Sequence, residues 1–264
     1  MKKFLVIGNP IEHSLSPKLH NFWIKQNKLK AIYEKKLVSK NELKLIIESV
    51  RKNEIEGVNV TVPFKESIID YLDILSPEAS ETQSVNTIYK SGNNIIGHNT
   101  DIGGFELAIR YINYSLKDKR ILIIGAGGVV PSIIYALNKS AVSKINLMNR
   151  TKEKAEKVKQ KFNNVNIIEW GKGCEFDMII NATSLGLNKN DTFGLDFSKY
   201  GKNKFFYDVI YAPFSTEFSE AGNSQNNLSE NGFNMFLFQA QKAFDIWHNV
   251  EPEINQGLVG FLKS

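Results

Sequence analysis

Arg120-Ile121-Leu122-Ile123-Ile124-Gly125-Ala126-Gly127-Gly128 is where the fold of this chain is decided. Ile121 to Ile124 are apolar without alternation, as in a strand covered on both faces of a parallel sheet. A glycine-rich turn follows at once, and a helical pattern then runs from Val129 to Leu137. Strand, tight turn and helix in that order let backbone amides approach a pyrophosphate, and the helix N-terminus adds partial positive charge. Gly125 and Gly127 fill the first two fingerprint positions, with Ala126 between them and Gly128 following, but the third small position falls on Val130. The order of the elements carries the reading more than the glycines do.

The next strand, Ile145 to Met148, ends in Asn149-Arg150-Thr151. A site for NAD usually places an acidic residue there to hold the ribose hydroxyls. None is present. Arg150 offers a charged fork suited to a 2′-phosphate, Thr151 adds a hydroxyl, and Lys154 lies one turn on. This pattern predicts NADP over NAD. The plainer alternative is a strand-end turn that caps a helix over Lys152–Lys161.

Working outward, strand-like stretches recur at Val165 to Ile168, Met178 to Ile180 and Phe205 to Ile210. Helical patterns close the chain at Phe233 to Trp247 and Glu253 to Leu262. Towards the N-terminus, Phe4 to Ile7 reads as a strand ended by Gly8-Asn9-Pro10. Ser16 is an expected N-cap, with Pro17 at the first position of a helix reaching Gln26. A strand over Ala31 to Val38 and a helix over Leu43 to Val50, capped by Ser39 or Asn41, come next. Ser84 to Tyr89 and Asn94 to His98 form a hairpin around Ser91-Gly92-Asn93. A helix over Phe105 to Ile112, capped by Thr100 or Asp101, contains the first domain boundary. The repeated strand–helix order predicts an α/β fold with mostly parallel sheets covered by helices.

Gly57-Val58-Asn59-Val60-Thr61-Val62-Pro63-Phe64-Lys65 holds the densest chemistry. Val58, Val60 and Val62 alternate with Asn59 and Thr61, and Pro63 ends the strand. A helical pattern follows over Ser67 to Leu72. Asn59, Thr61 and Lys65 thus gather near the carboxyl end of one strand, where open α/β sheets bind ligands. Taken singly, Lys65 reads as a surface lysine and Asp101 as a helix cap.

Composition narrows the function. The 264 residues are 42% hydrophobic and 23% charged, with a net charge of +5. Lysines and acids are interleaved, as in Lys152-Glu153-Lys154-Ala155-Glu156-Lys157, and the arginines are Arg51, Arg110, Arg120 and Arg150. That is a solvated surface rather than a nucleic-acid patch, so no nucleic-acid partner is expected. Cys174 stands alone, which rules out an intrachain disulfide and a multi-cysteine zinc site. His13, His20, His98 and His248 lack a compact metal-binding spacing, so no metal is expected. The start carries a signal-like charge but too short an apolar run, and no segment is long and apolar enough for a membrane span. A cytoplasmic protein without a membrane partner is the expectation.

These pieces together resemble the shikimate dehydrogenase family, over nearly the whole chain and in the family's order. They are Gly8-Asn9-Pro10-Ile11 with His13-Ser14-Leu15-Ser16-Pro17; Asn59-Val60-Thr61-Val62-Pro63-Phe64-Lys65; Val85-Asn86-Thr87; Gly97-His98-Asn99-Thr100-Asp101; Gly125-Ala126-Gly127-Gly128; Asn149-Arg150-Thr151; Asn181-Ala182-Thr183-Ser184; Asp208-Val209-Ile210-Tyr211-Ala212-Pro213; and Gln239-Ala240.

The resemblance implies a substrate domain, residues 1–103 with 237–264, and a Rossmann-like doubly wound NADP domain, residues 104–236. It implies reversible NADPH-dependent reduction of 3-dehydroshikimate to shikimate, in the chorismate pathway to aromatic amino acids. Ser14 and Ser16 would hold the substrate carboxylate. Asn59, Thr61, Asn86, Asp101 and Gln239 would hold its hydroxyls, with Tyr211 lining the site, and Lys65 and Asp101 would be the catalytic pair. Cofactor contacts would come from Gly125, Ala126, Gly127, Gly128, Asn149, Arg150, Thr151, Lys154, Thr183, Ile210, Gly232 and Met235. Val129-Val130-Pro131 departs from the family, where many members place small residues and then an arginine. A quinate/shikimate dehydrogenase using NAD is the nearest competing enzyme, and a noncatalytic nucleotide or metabolite sensor is the competing class. The chain is expected to act as a monomer or homodimer on a small-molecule substrate.

Overall fold

Phe4, Leu5, Val6 and Ile7 are all buried in the computed structural model, which describes residues 1–188 and 190–264. Their strand, β1 (Lys2–Gly8), lies one strand in from the edge of a six-stranded sheet. Helix α1 (Ser16–Gln26) connects it to β2 (Ala31–Leu37), and α2 (Leu43–Arg51) leads on to β3 (Gly57–Val60). β2 and β3 flank β1, both parallel to it. Then come β4 (Ile74–Leu75), α3 (Pro77–Thr82) and the hairpin of β5 (Thr87–Ser91) and β6 (Asn94–His98). The order across the sheet is β2-β1-β3-β5-β6-β4, parallel except where β5 pairs with β3 and β6.

Strand periodicity sorts the core onto two faces. Leu5, Ile7, Val58, Val60 and Ile88 pack on one side with Ile46, Ile47 and Val50 of α2. Phe4 instead meets Trp247, whose indole donates to Ile88 O at 3.1 Å. Trp23 of α1 donates to Glu253 O at 3.0 Å, tying the C-terminal segment to this sheet.

The chain divides into two units, Met1–Gly104 with Leu237–Ser264, and Phe105–Phe236. It leaves the first within α4 (Asp101–Tyr111) and returns near its end within a helix spanning Phe233–His248. The second unit runs β7 (Arg120–Ile124), α5 (Val130–Lys139), β8 (Lys144–Met148), α6 (Lys152–Lys161), β9 (Val165–Ile168), β10 (Met178–Asn181), β11 (Phe205–Asp208), α7 (Glu217–Ser224) and β12 (Leu228–Glu230). The helices α8 (Phe233–His248) and α9 (Gln256–Lys263) complete the chain. Every strand pair in this second sheet is parallel. Read from β9, the order is β9-β8-β7-β10-β11-β12, the 3-2-1-4-5-6 arrangement of dinucleotide-binding folds. Ile121 to Ile124 are 0% exposed, as an uninterrupted apolar run at the sheet centre requires.

Several local expectations are corrected. β3 stops at Val60, because Thr61 to Phe64 turn away and Val62 is half-exposed. Ser67 to Leu72 forms only a 3-10 turn over Ile69–Tyr71. Asp73, held by Arg51 and by the amide of Ile95, ends that segment before a helix can propagate. Ser16 is not the cap of α1; its own amide donates to Ser14 Oγ at 3.3 Å. β11 ends at Asp208 rather than Ile210, and α7 and β12 lie in a stretch whose sequence shows no clear period. Among the described residues, no helix is long and apolar enough to cross a membrane.

Candidate active site

In the first unit, β3 and the turn that follows it, the residue just before β5 and the start of α4 bring four side chains into one buried network. Asn59, Lys65, Asn86 and Asp101 are 7%, 8%, 3% and 6% exposed. Asn59 donates through Nδ2 to Asn86 O (3.0 Å) and Thr87 Oγ1 (3.1 Å), while its Oδ1 accepts from Tyr33 OH at 2.6 Å. Both amide hydrogens are therefore committed inside the protein, and what Asn59 retains for a ligand is acceptor capacity on Oδ1.

Asn86 lies at the centre. Its Oδ1 accepts from the Thr100 amide at 2.8 Å, which fixes the orientation of the group. Its Nδ2 donates to Asp101 Oδ1 at 2.8 Å and to Thr100 Oγ1 at 2.9 Å, with Gln239 Oε1 at 3.5 Å. Lys65 Nζ donates to Asp101 Oδ2 at 2.5 Å. Its main-chain carbonyl accepts from the Val85 amide, which anchors the turn after Pro63.

Asp101 can serve this network because it is not the cap of α4. The amides of Asp101 and Ile102 donate to Asn99 Oδ1 at 3.1 and 3.4 Å, and Thr100 Oγ1 is engaged with Asn86 and Thr87. With those amides satisfied by Asn99, the Asp101 carboxylate receives an ammonium on one oxygen and an amide on the other. A buried ion pair is tolerated when its remaining valences are met in this way. Among the described residues Asp101 is the sole partner of Lys65 Nζ, so the ammonium keeps donors for a ligand.

Ser14, Ser16 and Thr61 stand outside this network. The first two are linked by the Ser16 amide, and Thr61 is held beside Gly8 by the hydrogen bond its amide donates to Ile7 O (2.9 Å). Among the described residues, the Ser16 and Thr61 hydroxyls have no protein partner.

In the second unit, Gly125 sits at φ +112°, and a Cβ there would lie 2.7 Å from Ala182 O. The turn after β7 therefore touches the turn after β10, at the point where strand order reverses and α/β sheets bind ligands. No side chain caps the N-terminus of α5; there the Val130 amide donates to Gly127 O at 3.0 Å and Pro131 has no amide hydrogen. At the end of β8, Asn149 donates to Thr151 O at 2.6 Å. Arg150, Thr151 and Lys154 are exposed, and among the described residues Arg150 makes no ion pair. These features fit a phosphorylated dinucleotide.

The Thr183 hydroxyl is engaged within its own turn. It donates to Asn181 Oδ1 at 2.7 Å and accepts from the Leu185 amide at 3.0 Å. Ile210 and Met235 are buried at 6% and 4% exposure. Gly232 is required sterically, since a Cβ there would fall 2.0 Å from Val209 O. Tyr211 stacks on Phe236, centroids 4.3 Å apart.

Residues 6–88 match the family described as shikimate dehydrogenase substrate binding domain, and residues 106–186 match shikimate / quinate 5-dehydrogenase. The shikimate dehydrogenase (NADP(+)) of Pelagibacter ubique is 52% identical over 261 residues, 99% of this chain and 98% of that protein. This chain belongs to the shikimate dehydrogenase family. The solved shikimate dehydrogenase of Aquifex aeolicus superposes with a TM-score of 0.90 at 34% identity, covering 100% of this chain and 97% of that one. That of Thermus thermophilus, in complex with NADP(H) and shikimate, gives 0.88 at 29% identity, covering 100% and 98%.

Against the family's motifs, Tyr33, Thr87, Asn99 and Thr100 are supporting residues that the sequence reading gave no role of this kind. The available signal was the run of polar residues in Val85-Asn86-Thr87 and Asn99-Thr100-Asp101, at strand ends that should be buried. Asp208 is the corresponding case in the second unit: it accepts from Asn181, Ile210 and Thr216.

Proposed function

We propose that this chain is an NADP-dependent shikimate dehydrogenase, interconverting 3-dehydroshikimate and shikimate in the cytoplasm. The observation that carries the chemistry is the buried Lys65–Asp101 pair, with Asn86 on the second carboxylate oxygen. The ligands named for the Thermus thermophilus relative and the NADP(+) in the name of the Pelagibacter ubique protein support the choice of substrate and cofactor. Substrate belongs to the first unit and NADP to the second.

Reduction turns C=O into CH–OH, with hydride added to carbon and a proton to oxygen. When bound, NADPH supplies the hydride. Lys65 supplies the proton from Nζ, and Asp101 holds that nitrogen in place and accepts from the reacting hydroxyl. General acid catalysis of this kind contributes about 10²–10⁴ in rate. Asn59 receives a substrate hydroxyl on Oδ1, Thr61 and Gln239 complete the hydroxyl contacts, and Ser14 and Ser16 donate to the carboxylate. In the second unit the Gly125 to Gly128 turn takes the pyrophosphate, and Arg150, Thr151 and Lys154 take the 2′-phosphate.

Initial rates, followed by nicotinamide absorbance, with shikimate or quinate against NADP or NAD test this reading. Fast turnover confined to shikimate with NADP is expected. Comparable rates with quinate and NAD, or ligand binding without turnover, would overturn it.

A further inference from the structure

Asp208, at the carboxyl end of β11, is 0% exposed and carries no ion pair among the described residues. It accepts three hydrogen bonds instead. Oδ1 receives Asn181 Nδ2 at 2.9 Å and the Ile210 amide at 3.0 Å, and Oδ2 receives the Thr216 hydroxyl at 2.6 Å. Each donor belongs to a different piece of the molecule.

Asn181 ends β10. Its Oδ1 accepts from the amide and the hydroxyl of Thr183, and its Nδ2 also reaches Leu185 O at 3.2 Å. Ile210 lies in the loop after β11, and its carbonyl accepts from the Gly232 amide at 3.0 Å, in the turn before α8. Thr216 opens α7, where it also receives the Ser219 amide. Residues 182–186, 209–216 and 231–232 therefore hang on one carboxylate.

Burying an anion without a counter-charge is costly, and burial pushes the Asp208 carboxyl up to about 6. Three converging donors explain why an acceptor-only group is kept there. The segments it ties carry Thr183, Ile210 and Gly232, on the β10–β12 half of the sheet, which in a fold built of two mononucleotide-binding halves takes the nicotinamide end when Arg150 on the β7–β9 half takes the adenosine end. Arg150 follows β8, on the opposite side of β7 in the sheet order, and shares none of these bonds.

We propose that Asp208 is a positioning residue for the nicotinamide half of the cofactor. It sets the spacing of the loops after β10 and β11 and of the turn before α8, without itself touching the ligand. The proposal rests on the NADP assignment above. It separates the two ends of the cofactor: adenosine-side recognition at Arg150 is independent of Asp208, and nicotinamide-side recognition depends on it.

The test compares Asp208→Ala and Asp208→Asn with wild type in four readouts. These are KM for NADPH, kcat with 3-dehydroshikimate, inhibition by 2′,5′-ADP as a probe of the adenosine end, and thermal melting. D208A should raise KM for NADPH by about tenfold or more and lower kcat, since three buried donors lose their acceptor. Inhibition by 2′,5′-ADP should be unchanged. D208N should recover most of the loss, because its Oδ1 still accepts from Ile210 and Asn181 while the Thr216 hydroxyl turns to accept from the new amide.

A lowered melting temperature with unchanged KM for NADPH would overturn the proposal, as would an equal loss of NADPH and 2′,5′-ADP binding. Should D208A not fold, Thr216→Val removes one of the three bonds at nearly constant volume, together with the acceptor for the Ser219 amide at the start of α7. It should give a smaller rise in KM for NADPH alone, and no rise would count against the proposal. Failure of the NADP assignment itself would look different: wild type would show neither NADP-dependent turnover nor inhibition by 2′,5′-ADP.

Discussion

Asn86 donates its side-chain amide to Asp101 Oδ1 at 2.8 Å, on the oxygen opposite the one that receives Lys65. The Thr100 amide fixes which way the Asn86 group points, so this donor cannot be exchanged for an acceptor without breaking a second bond. Asn86→Asp keeps the shape but sets a carboxylate against a carboxylate. Two such groups share a proton, and one of them is held protonated to higher pH than usual. The variant should lose at least about tenfold in kcat at pH 8 and recover part of it towards pH 6, as protonation restores a donor. A pH–rate profile parallel to wild type would show that the amide is not needed.

Arg150 stands exposed at the end of β8 with no acidic neighbour bound to it among the described residues. A charge-assisted hydrogen bond to a 2′-phosphate is worth about 1.5–3 kcal/mol, or roughly 10–100-fold in affinity. Arg150→Ala should raise KM for NADP by that factor and leave KM for NAD nearly unchanged. Equal effects on both cofactors would remove Arg150 from phosphate recognition.

His20 gives a prediction about stability. It is 1% exposed and stacks on Tyr33 at 4.2 Å within a cluster that includes Trp23, Phe244 and Trp247. Burial lowers its pKa to about 3, and nearby His248 acts in the same direction. The unfolded chain therefore binds a proton near pH 6.5 that the folded chain refuses, so His20 costs stability as pH falls below that value. Between pH 8 and pH 5 the loss is about 2 kcal/mol. His20→Phe should flatten the fall in melting temperature over that interval. The same slope as wild type would contradict it.

Much of the fold was legible because the signals were local. The unbroken apolar run Ile121–Ile124, the glycine turn and the alternation in Val58-Asn59-Val60 each follow from side-chain periodicity. The extent of the helix expected after Lys65 was not legible, since Asp73 is held by Arg51 and Ile95, distant in sequence. The active-site candidates came from the strand-end pattern at Asn59, Thr61 and Lys65 and from the resemblance, and the geometry joins Asn59, Lys65, Asn86 and Asp101 in one network. Their roles needed the bonds. Thr100 and Asp101 looked like caps, but Asn99 does the capping, and the Thr183 hydroxyl is consumed by Asn181 and Leu185.

Single-turnover reduction of 3-dehydroshikimate by Lys65→Met, at saturating NADPH, tests the catalytic account most directly. Shikimate binding is measured in parallel, because loss of one partner leaves the Asp101 charge less compensated and lowers stability. Shikimate binding should be retained and the rate should fall about 10²–10⁴ below wild type. Near-normal turnover in a variant that binds shikimate would contradict proton transfer by Lys65.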